Sequence, residues 1–192
     1  NGLNNLPSQG GVLLLGNHTS WIDWAVLHLA VPRPVRFVMS RHYYNRWYLR
    51  WFLDLYRVIP ISSAASSSAL RKITENLQAG ECVALFPEGA ISRNGQLGAF
   101  RRGYSIPATQ SGCPIVPFYL RGLWGSRWSA VSRHFRRNTD GVLTRDINLC
   151  FGPAQPPSAS PREVKDAVHR LSILACQEFA RVQTSIPEKW LR

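Results

Sequence analysis

The stretch VLLLGNHTSWID, residues 12–23, decides how the rest of the chain is read. Val12 to Leu15 is a continuous apolar run and Ala25 to Val31 is another, so Gly16-Asn17-His18-Thr19-Ser20-Trp21-Ile22-Asp23 lies where a strand hands over to a helix. Working outward, Val35 to Met39, Val58 to Ile61, Cys82 to Phe86, Ile115 to Leu120 and Ile147 to Phe151 are further short apolar runs, several too continuous to face solvent. Ala69 to Ala79 places Leu70, Ile73 and Leu77 on one helical face and stops at Gly80, a residue suited to a helix end. Strands alternating with helices predict an α/β domain with a mostly parallel central sheet flanked by helices.

Further along, Gly152 to Pro161 is a connector rich in Pro, Ala and Ser. Ser160-Pro161-Arg162-Glu163 then opens a last helix, with Ser160 as N-cap, Pro161 at the first position and Glu163 closing a capping box. Val164, Val168, Leu171, Leu174 and Phe179 fall along one face of it, and Pro187 ends it at the latest. Phe118 to Asn138 is less regular: Trp124, Trp128 and Phe135 mix with Arg121, Arg127, Arg133, Arg136 and Arg137, as a functional surface or as a basic loop with buried anchors.

Composition bounds the function. A chain of 192 residues reads as one domain, 1–192, able to bury roughly 70% of its unfolded surface. No stretch approaches the ~20 apolar residues of a membrane-spanning helix. The chain begins at Asn1 without an initiating Met or a signal peptide, which reads as a module cut from something longer. Its net charge is +12, and 20 of its 23 basic residues are Arg, so an anionic partner is expected: nucleic acid, membrane surface, phosphorylated small molecule or acidic carrier protein. Cys82, Cys113, Cys150 and Cys176 are widely scattered, which suggests reduced thiols rather than a zinc site or a disulfide framework.

His18 and Asp23 are the chemical question. Positions five apart differ by about 140° around a regular helix, so the two side chains meet only if His18 precedes the helix. With Ser20 as N-cap, Asp23 takes the third helical position and the His18 ring can fold back from the turn. The same spacing also makes Ser20-Trp21-Ile22-Asp23 a capping box in which Asp23 merely satisfies a backbone N–H. A His oriented by a carboxylate is the usual apparatus for taking a proton from a hydroxyl near neutral pH. The chain has no G-x-S-x-G elbow, so the attacking hydroxyl would belong to the substrate. Phe86-Pro87-Glu88-Gly89-Ala90-Ile91-Ser92-Arg93 leaves the end of another strand, where ligands of parallel sheets gather. Glu88 can orient a polar group there, and Arg93, Arg101 and Arg102 offer charge to a phosphate.

Taken together, these stretches resemble a known family. Asn17-His18 followed by Asp23 resembles the N-H-x-x-x-x-D motif of the glycerolipid acyltransferases, the lysophosphatidic acid acyltransferase superfamily. Phe86-Pro87-Glu88-Gly89 is similar to that family's F-P-E-G motif, Arg57-Val58-Ile59-Pro60-Ile61 to its short second motif, and Ile115-Val116-Pro117-Phe118 to its fourth. The resemblance implies the glycerolipid acyltransferase fold and acyl transfer from a thioester to a glycerolipid hydroxyl, with His18 as general base and Asp23 orienting it. It places Glu88 and Gly89, with Arg57, Arg93, Arg101 and Arg102, around the acceptor's phosphate. It implies neither a metal nor a bound cofactor, since acyl carrier protein or coenzyme A arrives with the acyl group as donor substrate.

One departure bears on the acceptor. Well-known members continue F-P-E-G with Thr-Arg-Ser, whereas this chain has Ala90-Ile91-Ser92, an apolar residue in place of an arginine. A phosphodiester headgroup needs less positive charge than a phosphate monoester, so lysophosphatidylethanolamine is the expected acceptor and lysophosphatidic acid the alternative. F-P-E-G-x-I-S/T also resembles the acyltransferase part of bifunctional lysophosphatidylethanolamine acyltransferase/acyl-carrier-protein synthetases. Such modules are fused to transporter or acyl-activating domains, and the expected location is the cytoplasmic face of the inner membrane, peripheral or tethered. Docking there falls on Arg41 to Arg57, where Tyr44, Trp47, Tyr48, Trp51, Phe52 and Leu55 mix with Arg46 and Arg50; the same residues could instead form a core helix. The Trp124 to Arg137 region is a second candidate. A non-catalytic basic module that binds membrane or nucleic acid is the rival class, but no nucleic-acid-binding motif is present.

Overall fold

The structure is a computed structural model that describes residues 1–44, 46–62, 66–131 and 146–185; the side chains of residues 48, 49, 52 and 181–185 also fall outside that description. The expectations placed on Tyr48, Phe52, Arg133, Phe135, Arg136, Arg137 and Pro187 therefore lie outside the described residues.

Among the described residues six strands form one sheet: β1 (Val12–Gly16), β2 (Val35–Ser40), β3 (Ile59–Ile61), β4 (Cys82–Leu85), β5 (Ile115–Arg121) and β6 (Asn148–Phe151), in the order β3-β2-β4-β1-β5-β6. All neighbouring pairs are parallel except β5–β6, which is antiparallel. The expected mostly parallel sheet is thus found, with one antiparallel edge strand.

Burial on both faces explains why the strands read as unbroken apolar runs. Alternate residues serve opposite layers: Val12, Leu14, Ala84, Phe37 and Phe118 pack on one face with Leu27 of α1 (Asp23–Ala30) and Leu53 of α3 (Trp47–Leu55). Leu13, Leu15, Val83 and Ile115 pack on the other, against Ile73 and Leu77 of α4 (Ser66–Gln78), Ala108 of α5 (Ser105–Ser111), and Val164 and Val168 of α6 (Pro161–Ser185). A short helix, α2 (Arg41–Tyr44), follows β2.

The start of α6 follows the sequence: Ser160 N–H donates to Glu163 Oε2 (2.8 Å), and Glu163 N–H donates to Ser160 Oγ (3.3 Å). Its buried stripe differs in one place. Val164, Val168 and Leu171 are buried as expected, but Leu174 is half exposed and Ala175 takes the core position. The step from 171 to 175 continues the i, i+4, i+7, i+11 row, and a small residue there allows the helix to approach Cys150 closely. Among the described residues, no helix is long and apolar enough to cross a membrane.

The register matters most for the site. Leu15 of β1 lies opposite Leu85 of β4, so these adjacent strands release the chain at the same edge of the sheet. Gly16 sits in the tightest part of that edge: a Cβ there would stand 2.5 Å from the Phe118 carbonyl oxygen and ring carbons. Gly16→Ala is expected to destabilise the fold by roughly 1–3 kcal/mol, the usual cost of overpacking, because a backbone carbonyl cannot swing aside. Urea unfolding of parent and variant measures it.

Candidate active site

The turn after β1 is held at every point. The Asn17 side chain extends the sheet like a peptide group, its Nδ2 donating to the Leu120 carbonyl (2.9 Å) while its Oδ1 accepts from the Leu120 N–H (2.7 Å). His18, the next residue, then points its Nδ1 at Asp23 Oδ2, 2.8 Å away. The same Oδ2 accepts from the N–H groups of Thr19 (2.6 Å) and Ser20 (2.9 Å), and Thr19 Oγ1 lies 3.4 Å from Oδ1. Asp23 is buried, yet its charge meets donors on both oxygens and lies in the first turn of α1, where the helix dipole favours an anion.

The contacts that the two sequence readings required of Asp23 are both present. Its carboxylate satisfies the Ser20 N–H, as the acid of a capping box does, and it also orients His18. The details of the cap differ from expectation. Helix α1 begins at Asp23 with Ile22 as the cap residue, rather than two residues earlier with Ser20 as cap. Ser20 is held extended by a bridge to Ser129, and its Oγ donates to the Trp128 carbonyl (3.2 Å) and accepts from the Ile22 N–H (3.3 Å). Trp21 N–H also donates to the Trp128 carbonyl (2.8 Å), so tertiary pairing delays the helix.

The F-P-E-G loop grips His18 from its other side. Glu88 Oε1 accepts the His18 N–H (2.9 Å), and Ser92 N–H donates to the His18 carbonyl (2.7 Å). Glu88 Oε2 accepts the Gly98 N–H (2.8 Å), closing the loop on itself. The Phe86 ring stacks on the imidazole at 4.0 Å and 11° and is itself braced edge-on by Phe118. Gly89 is in the left-handed region (φ 75°), and a Cβ there would meet Arg101 Nε at 2.9 Å, so the arginine side chain lies across the glycine.

The structure thus brings together His18, Asp23, Glu88, Gly89 and Arg101. Arg93 follows the Ser92 that bonds His18, and Arg102 follows Arg101; the side chains of Arg93, Arg101 and Arg102 are all exposed. Arg57 lies elsewhere. It caps α3 in the left-handed region (φ 49°), with Arg57 N–H donating to Asp54 and Val58 N–H to Leu53, and it leads into edge strand β3. That edge is three inter-strand spacings, about 14 Å, from β1. Asn17, Phe86, Ser92 and Trp128 are contacts that the sequence reading did not assign. Asn17 and Phe86 stood inside the quoted motifs, but nothing local marks a side-chain amide as a strand extension.

Chemically, the arrangement can act as a general base. Asp23 is an acceptor, so the neutral ring carries its proton on Nδ1 and leaves Nε2 to receive one; about a fifth of the side-chain surface is open to approach. The buried cysteines are poor rivals as nucleophiles: burial pushes the Cys82 thiol up to about 12 and raises Cys150. Burial also raises the Glu88 carboxyl above its ordinary value, against the pull of the Gly98 and His18 amides and of charge on His18 and Lys165.

These features match known proteins. A family model described as Acyltransferase matches residues 1–121. A chloroplastic 1-acyl-sn-glycerol-3-phosphate acyltransferase of Brassica napus is 30% identical over 125 residues, 63% of this chain and 36% of that protein. One of Pseudomonas aeruginosa is 29% identical over 186 residues, 94% of this chain and 68% of that protein. The chain spans about a third of the length of the chloroplastic relatives. The crystal structure of the 1-acyl-sn-glycerophosphate (LPA) acyltransferase PlsC from Thermotoga maritima superposes with a TM-score of 0.66 at 18% identity, over 97% of this chain and 72% of that one, a likeness of fold.

Two variants test the site. Asp23→Asn can keep a carbonyl oxygen where Oδ2 accepts from both amides and the ring, but it removes the negative charge beside His18, so turnover is expected to fall roughly 10²–10⁴-fold in a protein that still folds by circular dichroism; a purely capping Asp23 would leave turnover nearly intact. For Glu88 the sign follows from linkage. Its folded pKa is raised, so its contribution to stability is complete below the ordinary value of 4.5 and is lost as pH rises through the folded value. The Tm of the parent relative to that of Glu88→Gln should therefore fall as pH rises above 4.5, as calorimetry can record.

Proposed function

This chain belongs to the acyltransferase family, and from that premise we propose that it transfers a fatty acyl group from a thioester to the free glycerol hydroxyl of a lysophospholipid, with 1-acylglycerol-3-phosphate as acceptor. The observation that carries the reaction is the 2.8 Å contact between His18 Nδ1 and a buried Asp23. The acceptor hydroxyl gives its proton to His18 Nε2 as its oxygen attacks the thioester carbonyl. Asp23 stabilises the imidazolium that forms. Collapse of the tetrahedral intermediate breaks the C–S bond, and His18 returns the proton to the departing thiolate, leaving an ester and a thiol. Phe86 against one face of the imidazole and Glu88 on the His18 amide keep the ring from rotating out of line during both transfers.

The phosphate of the acceptor is assigned to Arg93, Arg101 and Arg102. Arg101 lies across Gly89, and Arg93 is joined to the Ser92 that bonds His18, so two of the three cations arise within a residue of groups touching the base or its loop. Three guanidinium groups suit the nearly doubly charged monoester of lysophosphatidate. The relatives' names favour the same acceptor. Ile91 supports a second reading, lysophosphatidylethanolamine, because it is apolar where an arginine is usual. The donor is an acyl group on coenzyme A or acyl carrier protein, both anionic and suited to a chain of charge +12. Because acceptor and product reside in a bilayer, the protein works as a peripheral enzyme at a membrane surface.

Purified protein supplied with acyl-coenzyme A or acyl carrier protein donors and a panel of lysolipids tests the proposal. Lysophosphatidate is expected to show the highest kcat/KM, and Arg101→Ala to raise KM for it at least about tenfold. A clear preference for lysophosphatidylethanolamine would transfer the assignment to the second reading, and no transfer to any lysolipid by folded protein would end the proposal.

A further inference from the structure

Helix α3 places Trp47, Trp51 and Leu55 at i, i+4 and i+8, and these side chains are 85%, 69% and 71% exposed. Leu53 faces the other way and is buried in the core, so the helix is anchored by one side and presents the indoles with the other. Arg46 and Arg50 flank this stripe and are exposed. Asp54 is the only acid between residues 41 and 57, and it already accepts from Tyr44 and lies 3.8 Å from Arg50.

The stripe continues toward the catalytic turn. Tyr43 in α2 stands edge-on to Trp21 at 4.8 Å, and the Trp21 N–H bonds the carbonyl of Trp128. Trp21 and Trp128 are themselves about half exposed, and Trp21 lies two residues before Asp23. Exposed aromatics therefore stand on the solvent side of α3 and, by way of α2, which packs on α3, at the turn that follows His18.

We propose that this aromatic run is the face with which the protein lies on an anionic phospholipid bilayer. Trp47, Trp51 and Leu55 enter the boundary between headgroups and acyl chains, while Arg46 and Arg50 reach lipid phosphates. The occupant is a bilayer because both requirements of the interface are present on one helix: indoles with apolar bodies and polar N–H tips, and guanidinium groups that keep their charge at the headgroup level. A net charge of +12 adds long-range attraction to an anionic surface. Docked this way, Trp21 and Trp128 hold the opening beside His18 against the lipid, so a lysolipid presents its glycerol hydroxyl without leaving the membrane. This last consequence rests on the acyl-transfer reading; the docking does not.

Sedimentation of the full chain with vesicles of phosphatidylglycerol and phosphatidylcholine, compared with phosphatidylcholine alone, is the test. The parent is expected to bind the anionic vesicles more tightly. Trp47→Ser with Trp51→Ser should lose at least tenfold in partitioning to both kinds of vesicle. Arg46→Gln with Arg50→Gln should lose about fivefold per arginine, about 1 kcal/mol each, on the anionic vesicles alone. With a short-chain lysolipid held below its micellar concentration, all variants should turn over as the parent does; with vesicle-embedded lysolipid, turnover should fall in step with binding. The arginine pair is exposed and tests the proposal even if the tryptophan pair impairs folding. A parent that ignores anionic vesicles, variants that bind as the parent does, or a stripe needed only for an acidic carrier protein would each overturn it. Acyl transfer to monomeric lysolipid without vesicle binding defeats the docking alone, whereas vesicle binding without any transfer defeats the enzyme reading alone.

Discussion

A buried carboxylate needs compensation, and in this protein Asp23 obtains it from the turn that carries His18. Leaving such a group unpaired costs several kcal/mol, so the N–H groups of Thr19 and Ser20 and the ring of His18 are drawn to it together. The conformation of residues 18–20 answers that demand, while Asn17 is held by Leu120, and Ser20 and Trp21 also by Trp128. With Asp23 at the start of α1 and His18 at the end of β1, one electrostatic centre joins the strand to the helix and aims the imidazole. Capping and the orientation of His18 are thus a single arrangement of atoms, with the amides fixing the acid and the acid fixing the ring.

The second grip on His18 is possible only because β1 and β4 are neighbours in a parallel sheet. Their chains leave the same edge, and the F-P-E-G loop closes over the turn with Glu88 on one backbone group of His18 and Ser92 on the other. Asn17 performs the same service toward β5. His18 is consequently held through its backbone by one neighbouring strand's loop, through its predecessor by the strand on the other side, and through its ring by Asp23 and Phe86. Such over-determination suits the general-base role proposed for His18, which requires accepting a proton and returning it without reorienting.

Positive charge is distributed according to a different logic. Arg93, Arg101 and Arg102 are exposed on the segment that follows the F-P-E-G turn, Arg101 lying across Gly89, while Arg46 and Arg50 flank exposed indoles on α3. Arg57, close to α3 in sequence, has a backbone role as its left-handed cap, a position usually given to glycine. One total of +12 is therefore divided among separate places in the fold, which composition cannot tell apart.

Much of this was legible in the sequence. Unbroken apolar runs predicted strands buried on both faces, and all six are present within a residue or two, because burial on two sides demands apolar side chains at consecutive positions. The capping box at Ser160–Glu163 was readable because all of its donors and acceptors lie within four residues. The spacing of His18 and Asp23 allowed their meeting, and the quoted motifs identified the family. What the sequence left undecided depended on partners far along the chain. The start of α1 is set by Trp128 and Ser129, more than 100 residues from Ser20. The stripe of α6 runs through Ala175 rather than Leu174 because the helix packs closely on Cys150. The exposure of Trp47 and Trp51 was equally unreadable, since an indole has the same periodicity whether it faces a sheet or solvent, and only the packing of Leu53 beneath α3 turns one face inward.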